Sequence, residues 1–474
     1  YIQVDEGYQK YHGDWEGNER FPQGMKWLAD RIKSFGLKPG LWIAPFLISE
    51  TTEVFRNHPE WLLKNPDGSL KRVGPWPLED SDWARNEKPK RYCLDITHPG
   101  AAEWLHNLIH TIVNEWGYEM IKIDFVAWTI LSADHFHKKE ITPVLAYRLG
   151  YEIIRAAAGD KIHLLDCGPG AVSCGLIDSM RIELDQNYGF SKDVWKQYFA
   201  DSSSSSAAAA KRYYFHKKTW INDADHICIN LLNQNQAQAA ATIIALSGGN
   251  AISGDRLTEL DEVKLQILRK VLPSYGEAAR PVELFDSDLP SVFALKVKKS
   301  FGEWTIIGFF NSSLTESIKK SYSMDRFWLS NEKTYLTYNF WEEKFSGEVK
   351  KELSVHVPPG AVSLLALHEK TGVPQFISSN RHVLQGAVEL DDIYWNAETK
   401  TLSGISKGPL KSKHSLFIYL PESFSWIQGS HVLYRDYNSY NLKMIEENIL
   451  KVNLHFEDSE RIEWDFNQAE FFTE

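Results

Sequence analysis

Cysteine, basic clusters and long apolar runs are all scarce in this 474-residue sequence. Its four cysteines have neither zinc-ligand spacing nor the density of a disulfide scaffold, so we interpret them as mostly reduced. No apolar run approaches the roughly 20 residues that span a bilayer, and no leader peptide is recognisable. The net charge is −11, without a lysine- and arginine-rich run that could follow a phosphate backbone. We therefore predict no membrane or nucleic-acid partner and a cytoplasmic location.

The sequence also lacks the spacing of a metal or nucleotide site. His58, His98, His163 and His226 are scattered, and neither H-E-x-x-H nor a strong calcium loop occurs. The glycines of "DCGPG" at 166–170 are not followed by a phosphate-loop lysine. We predict that the protein uses neither a metal nor another cofactor.

Aromatic residues, in contrast, are abundant, with 17 tryptophans and 20 tyrosines. Most of them suit an ordinary core, but flat rings with polar edges also fit the C–H faces and hydroxyls of sugars. The apolar fraction of 43% supports a large core divided among two or three domains.

From residue 1 to 278, short apolar runs alternate with amphipathic helical patterns, which is typical of parallel βα units. The predicted helices cover about 23–34, 101–116, 143–157, 233–246 and 261–272. The predicted strands are "YIQVDEG", "GLKPGLWIAPF", "MIKIDFV", "KIHLLDCG", "SMRIELD", "TWINDAD" and "GGNAISGD". These seven strands are one short of a (β/α)₈ barrel, so we expect the missing strand and its helix upstream of Tyr1.

The hydrophobic period changes to two after the barrel segment, which predicts antiparallel β structure. We predict a β domain over 279–370 and, over 371–474, a second β module or an extension of the first. The stretch "SSSSSAAAA" at 202–210 is either a mobile loop running into a helix at "KRYYF" or a placeholder for unidentified residues.

Carboxylates stand at the ends of many predicted barrel strands, where barrels of this kind place their active sites. They are Asp5, Glu6, Asp124, Asp166, Asp185, Asp223, Asp225 and Asp255. For any single one, a helix cap or a satisfied turn residue is the ordinary explanation. Several at one end of a barrel favour glycoside hydrolysis, which needs two carboxyl groups beside the anomeric carbon.

Two strands also pair a carboxylate with a cation on the same face. Lys122 and Asp124 alternate in "KIDF", so both side chains should point into the barrel lumen, where the lysine favours an ionised nucleophile. Arg181 and Asp185 share a face in "RIELD", and Asp185 is a candidate proton donor. The alternative for Lys122 and Asp124 is a structural buried ion pair.

Five motifs together carry a resemblance to a known family: "GLKPGLWIAPF", "HPEWLL", "KIDF", "RIELD" and "WINDAD". With "VDEGYQ" and "GDW" near the start, they resemble the melibiase-type α-galactosidases of glycoside hydrolase clan D, collinearly from Tyr1 to about residue 275. The resemblance implies a (β/α)₈ catalytic barrel followed by an antiparallel β domain. It also implies an α-galactoside oligosaccharide as substrate and leaves a homo-oligomer open.

The resemblance assigns roles to eight residues. Asp124 matches the nucleophile and Asp185 the acid/base. The implied substrate-binding residues are Asp5, Glu6, Trp42, Lys122, Cys167 and Arg181. Glu6 departs from the family pattern, in which two adjacent aspartates hold the 4- and 6-hydroxyls of the sugar, and the extra methylene changes the reach of the carboxylate.

The leading hypothesis is a retaining exo-α-galactosidase that releases terminal α-linked galactose by double displacement. Because of Glu6, specificity for α-N-acetylgalactosamine and transfer of galactose to another sugar stay open. A non-catalytic carbohydrate-binding protein is less favoured, since pure binding does not require both carboxylates.

Overall fold

The computed structural model describes residues 1–73, 89–126, 129–130, 133, 135–168, 170–186, 193–200, 204–422, 434–436, 439–446 and 448–467. The chain forms two compact units. The first comprises Tyr1–Arg181 and Lys217–Ile221, and the second comprises Ile182–His216 and Asn222–Glu474. The predicted division into 1–278, 279–370 and 371–474 stays a prediction.

The first unit contains a parallel sheet and the helices that alternate with its strands. Its strands are β1 (Ile2–Val4), β2 (Gln9–Tyr11), β3 (Asp14–Gly17), β4 (Pro39–Ile43), β5 (Leu47–Ser49), β6 (Arg72–Val73), β7 (Arg91–Cys93), β8 (Met120–Ile123), β9 (His163–Asp166) and β10 (Ser179–Arg181). Its helices are α1 (Gly24–Lys33), α2 (Glu53–Asn57), α3 (Pro99–His110) and α4 (Pro143–Ala158). Strands β1, β4, β8, β9 and β10 pair in that order, all in parallel.

Local sequence signals explain where these elements begin and end. Helix α3 starts with Pro99 after His98, whose ring accepts the Gly100 N–H, and its residues Ala101, Leu105 and Ile109 are buried on one face. Its predicted continuation to 116 is a π-helical turn over Thr111–Glu115. Strands β4 and β8 are buried throughout, as expected for a parallel sheet covered on both faces.

The second unit contains the remaining elements. Its helices are α5 (Val194–Phe199), α6 (Ser205–Arg212), α7 (Gln234–Leu246) and α8 (Glu262–Val271). Its strands are β11 (Ile221–Ile227), β12 (Asn250–Ser253), β13 (Arg280–Pro281), β14 (Val292–Lys299), β15 (Gly302–Phe310), β16 (Ile318–Ser323), β17 (Tyr335–Asn339), β18 (Lys344–Val349), β19 (Glu352–Val357), β20 (Val362–Glu369), β21 (Gln375–Ser379), β22 (Leu390–Asn396), β23 (Thr401–Lys407), β24 (Ser412–Tyr419), β25 (Tyr434–Asp436), β26 (Tyr440–Glu446), β27 (Ile449–Phe456) and β28 (Arg461–Asn467).

Within the second unit, β11 and β12 are parallel to each other, whereas the strands after residue 279 form antiparallel pairs. One six-stranded sheet has the order β13-β14-β15-β20-β17-β18, and one five-stranded sheet has the order β21-β24-β27-β26-β25. The seven predicted parallel strands and the five predicted helices are therefore confirmed. The period-two pattern after the barrel segment also predicted the antiparallel strands correctly.

Some elements differ from the predictions or were missed. The stretch at 202–210 is not a mobile loop where the structure describes it, because α6 forms over Ser205–Arg212 and Ser205–Ala210 are buried. Small side chains let this helix pack closely despite its low complexity. Ser202 and Ser203 lie outside the described residues. The hairpin of β2 and β3 and the small sheet β5-β7-β6 were not predicted, since each strand is too short to show a periodicity.

In the part of the chain that the structure describes, no helix is long and apolar enough to cross a membrane.

Four buried titratable side chains make the second unit sensitive to pH. Burial lowers the pKa of His368 and His414 to about 3 and that of His382 to about 4. Burial also raises the pKa of Glu389 to about 7, against the opposing backbone hydrogen bonds from Gly386 and Val388. The three histidines are neutral in the folded protein, whereas in an unfolded chain each takes up a proton near pH 6.5.

We expect His414→Leu to reduce the acid sensitivity of the protein. Below pH 6.5 the unfolded chain binds a proton at each of these histidines, whereas the folded protein does not. The free energy of unfolding therefore falls by about 1.4 kcal/mol per pH unit for each such proton as the pH decreases. Between pH 6.5 and 5.0 the wild type should therefore lose about 2 kcal/mol more free energy of unfolding than the variant. Urea unfolding of both proteins at the two pH values measures this difference.

Glu389→Gln is the matched control of opposite sign. In the wild type, the raised pKa of Glu389 contributes stability that is present below about pH 4.5 and is lost as the pH rises through 7. This variant should therefore gain stability relative to the wild type between pH 6 and pH 8. Parallel pH profiles for His414→Leu and the wild type would contradict the assignment of His414 as a buried neutral group.

Candidate active site

Asp124 lies one residue beyond β8, at the carboxyl end of that strand. Its backbone N–H donates to the Ile43 carbonyl at 2.9 Å, which extends the pairing of β4 and β8 by one residue. Phe125 then turns the chain with a φ of 54°, which lies in the left-handed region that residues other than glycine rarely adopt. The carboxylate is thus held at the point where the strand ends.

Both carboxylate oxygens of Asp124 accept hydrogen bonds from N–H donors. The indole N–H of Trp42 donates to Oδ2 at 3.0 Å, and the backbone N–H of Phe125 donates to Oδ1 at 2.7 Å. Trp42 is 1% exposed, so its ring is fixed by packing. Hydrogen bonds to a carboxylate favour its ionised form and fix its orientation.

Lys122 enters the same site from β8 and pairs with Asp5, beyond the end of β1. Its Nζ lies 2.8 Å from Asp5 Oδ2, and its side chain is 6% exposed while that of Asp5 is 43% exposed. Asp5 Oδ1 also accepts the backbone N–H of Glu6 at 2.9 Å. Strands β1 and β8 both flank β4 in the parallel sheet, so the two side chains meet across the end of β4.

The surroundings of Lys122 keep it charged. Burial alone would lower the pKa of this lysine, but its interactions with Asp5, Cys167 and Asp124 outweigh burial and the opposing Arg181, and the pKa is raised. Lys122 therefore interacts with Asp124, as predicted, but its hydrogen-bonded partner is Asp5. A buried cation beside two carboxylates is the main electrostatic feature of the site.

Glu6 is directed toward His12, a buried histidine that was not among the predicted site residues. Its Oε1 lies 3.1 Å from His12 Nε2. The His12 ring packs edge-on against Trp15, Trp42 and Phe125, with ring centroids 6.0–6.3 Å apart. The only signal in the sequence is the "YHGDW" context, which does not identify His12 without the hairpin geometry.

Cys167 and Arg181 come from the next two strands of the parallel sheet. The Cys167 backbone N–H donates to the Ile123 carbonyl at 2.9 Å, so this residue follows β9 as Asp124 follows β8. Arg181 is the last residue of β10, and its charge lowers the pKa of Lys122, which places it in the same electrostatic environment. The first unit thus brings together seven of the eight predicted site residues.

The eighth residue, Asp185, belongs to the second unit and is exposed. Strand β10 ends at Arg181, so the prediction that Arg181 and Asp185 share a strand face is wrong. Nearby in that unit, Asp225 accepts the Gln186 backbone N–H at 2.5 Å and Asp223 accepts the Asp225 N–H at 2.8 Å. Asp255 accepts the Ile229 N–H at 2.6 Å. These contacts with backbone N–H groups, which for Asp223 lie within β11 itself, match the ordinary explanation for strand-end carboxylates.

Asp166 is likewise structural. It is fully buried and accepts hydrogen bonds from Tyr151 at 2.6 Å, from Tyr147 and from Ser173. Burial raises its pKa, against the opposing hydrogen bonds. A Cβ at Gly168 would lie 2.1 Å from Tyr147 Oη, so only glycine permits this close arrangement. Within the described ranges, no group of three His, Cys, Asp or Glu side chains forms a candidate metal site.

Comparisons with known proteins point to the same family as the sequence motifs. Residues 5–176 match the family model described as Melibiase, and this range includes Asp5, Lys122 and Asp124. The resemblance to melibiase-type α-galactosidases is confirmed. An α-galactosidase of Escherichia coli is 26% identical over 117 residues, which are 24% of this chain and 14% of that protein.

Another relative, the A type blood α-D-galactosamine galactosaminidase of Flavonifractor plautii, is 27% identical over 179 residues. The alignment covers 35% of this chain and 16% of that protein. The matched part is thus well under two thirds of the length of these relatives.

A solved structure supports the fold class. The β-L-arabinopyranosidase of Geobacillus stearothermophilus is similar with a TM-score of 0.58 and 16% identity, over 78% of this chain and 89% of that one. Its fold is a TIM barrel followed by a C-terminal β domain. The predicted fold class, a (β/α)₈ barrel with antiparallel β structure after it, is confirmed.

Proposed function

We propose that this chain is a retaining exo-glycoside hydrolase that releases terminal α-linked galactose. The observation that carries the proposal is the environment of Asp124, which accepts N–H hydrogen bonds on both oxygens beside the buried cation of Lys122. The match of residues 5–176 to the Melibiase family supports the substrate class.

In the proposed first step, Asp124 attacks the anomeric carbon while Asp185 donates its proton to the departing glycosidic oxygen. The bond to the aglycone breaks, and a galactosyl ester of Asp124 forms. In the second step, Asp185 takes a proton from water, and the resulting nucleophile displaces Asp124. The two inversions return the α-configuration, and no cofactor takes part.

Lys122 and Asp5 have a binding role in this proposal. Their ion pair keeps a buried cation and a half-exposed carboxylate at fixed positions, where sugar hydroxyls can both donate and accept hydrogen bonds. Trp42 contributes a buried aromatic wall in addition to its hydrogen bond with Asp124. Cys167 and Arg181 complete the predicted sugar subsite.

A galactosaminidase activity is the second candidate. The relative from Flavonifractor plautii favours it, and the departure at Glu6 from the family pattern keeps the sugar specificity open. This candidate uses the same Asp124 and Asp185 chemistry and differs only in the sugar that the site accepts. A cytoplasmic location and assembly into a homo-oligomer stay predictions from the sequence.

A substrate panel tests the proposed function. We expect hydrolysis of p-nitrophenyl α-galactoside, with kcat/KM at least about tenfold above that for the α-glucoside, α-galactosaminide and α-N-acetylgalactosaminide. Proton NMR of the first turnovers should show α-galactose before mutarotation. Preference for an aminosugar would select the second candidate, and β-galactose as the first product would exclude the retaining mechanism.

A further inference from the structure

Glu6 and His12 form a contact that has no part in the proposed reaction. His12 is 7% exposed, and its contact with Glu6 at 3.1 Å is its only ring hydrogen bond among the described residues. Because an ionised carboxylate can only accept, Nε2 is the donor. A buried ring donor thus holds one oxygen of a carboxylate whose side chain is 34% exposed.

The second oxygen of Glu6 is available to a ligand. In the parts of the chain that the structure describes, Oε2 has no hydrogen-bond partner, since the contacts of Glu6 are its backbone N–H to Asp5 and Oε1 to His12. Asp5 differs, because its Oδ2 pairs with Lys122 and its Oδ1 accepts the Glu6 N–H. Glu6 therefore presents an acceptor oxygen whose position depends on His12.

The hairpin of β2 and β3 fixes His12 itself. Tyr11 pairs with Asp14, so His12 and Gly13 form the two-residue turn, and Gly13 has a φ of 94°. The His12 carbonyl accepts the Ser49 N–H at 2.8 Å, which attaches the turn to β5. The ring then packs edge-on against Trp42, whose indole donates to Asp124. The position of His12 is thus set by the backbone and by the aromatic wall.

We infer that His12 is a positioning residue that acts through Glu6 to determine sugar specificity. His12 draws the longer carboxylate toward the aromatic wall and leaves Oε2 to accept a hydrogen bond from a hydroxyl of the bound hexopyranose. This inference rests on the proposed function, because it takes the Asp5, Lys122 and Asp124 cluster as the sugar subsite. His12 does not touch the reacting atoms.

A double-mutant cycle tests this inference. We expect His12→Leu to lower kcat/KM for p-nitrophenyl α-galactoside by at least about tenfold, mainly through KM, because Glu6 loses its anchor. In a Glu6→Ala background the same substitution should change kcat/KM by less than about twofold. His12→Gln retains an N–H donor and should recover most of the loss.

His58→Leu is the matched control. His58 and Glu60 also form a histidine–glutamate contact, at 3.2 Å, but with side chains 42% and 53% exposed. Its removal should leave kcat/KM and KM within about twofold of the wild type. Equal losses from His12→Leu in both backgrounds would show that His12 acts through packing alone and would overturn the inference.

Calorimetric titration with galactose and 6-deoxygalactose separates this inference from the proposed function. The effects of the His12 and Glu6 substitutions on galactose affinity should be coupled even if the enzyme hydrolyses none of the substrates in the panel. Coupled binding without hydrolysis would overturn only the proposed function. Loss of that coupling for 6-deoxygalactose would assign Oε2 to the 6-hydroxyl, and retained coupling would assign it to a ring hydroxyl. Additive effects on galactose affinity, or no binding of galactose, would overturn the inference.

Discussion

Asp124→Asn is expected to lower kcat on p-nitrophenyl α-galactoside by at least about 10⁴-fold. The amide is nearly the same size as the carboxylate, but it is a poor nucleophile and cannot form the galactosyl ester. The amide oxygen can still accept one of the two N–H groups of Trp42 and Phe125, and the side chain keeps its size. Galactose affinity should therefore change by less than about tenfold. Steady-state kinetics and calorimetric titration with galactose measure the two effects.

Asp30→Asn serves as the control for this variant. Asp30 forms a surface pair with Lys26 at 2.7 Å, and its side chain is 58% exposed. The control should retain activity within about twofold of the wild type, since exposed ion pairs contribute little. Near wild-type turnover by Asp124→Asn would remove Asp124 from the reaction and leave it a structural carboxylate.

Asp185→Ala should show an effect that depends on the leaving group. For an α-galactosyl disaccharide, whose leaving alcohol needs protonation, kcat/KM should fall by about 10²–10⁴-fold. For α-galactosyl fluoride, whose leaving group needs no proton, the loss should be much smaller. Added azide should restore turnover and form α-galactosyl azide, because it replaces the water that Asp185 activates.

Glu369→Ala is a matched control in the same unit as Asp185. Glu369 forms an exposed ion pair with Lys333 at 2.7 Å. Any change in kcat/KM that Glu369→Ala causes should be the same for both substrates. Equal losses for Asp185→Ala on both substrates, with no azide product, would exclude Asp185 as the acid/base.

The longer helices and strands could be predicted from the sequence because their hydrophobic residues recur with the period of the element. The buried run of β8 and the single apolar face of α3 are examples in which burial and periodicity coincide. The hairpin of β2 and β3 was not predicted, and a helix was predicted only at "KRYYF", whereas α6 begins at Ser205. Strands of three and four residues show no period, and a run of serine and alanine does not indicate whether its surroundings bury it.

The candidate site was predictable where its residues lie at the ends of strands. Asp124 directly follows the strand that carries Lys122, so alternation alone predicted both side chains on one face. The pairing of Lys122 with Asp5 depends on the order of β1, β4 and β8 in the sheet, and the resemblance placed both residues in one subsite without giving that contact. His12 was missed because its role arises from a turn that local sequence does not specify.

The central claim is that Asp124 is the nucleophile of a retaining glycosidase. A fluorinated α-galactosyl fluoride that slows the second displacement should trap the galactosyl ester, and mass spectrometry of the tryptic digest locates it. Trypsin cleaves after Lys122 and Lys138, so the label should appear on peptide 123–138, and fragmentation should place it on Asp124 and not on Asp134. A label on any other residue, or turnover of the reagent without a labelled peptide, would contradict the account.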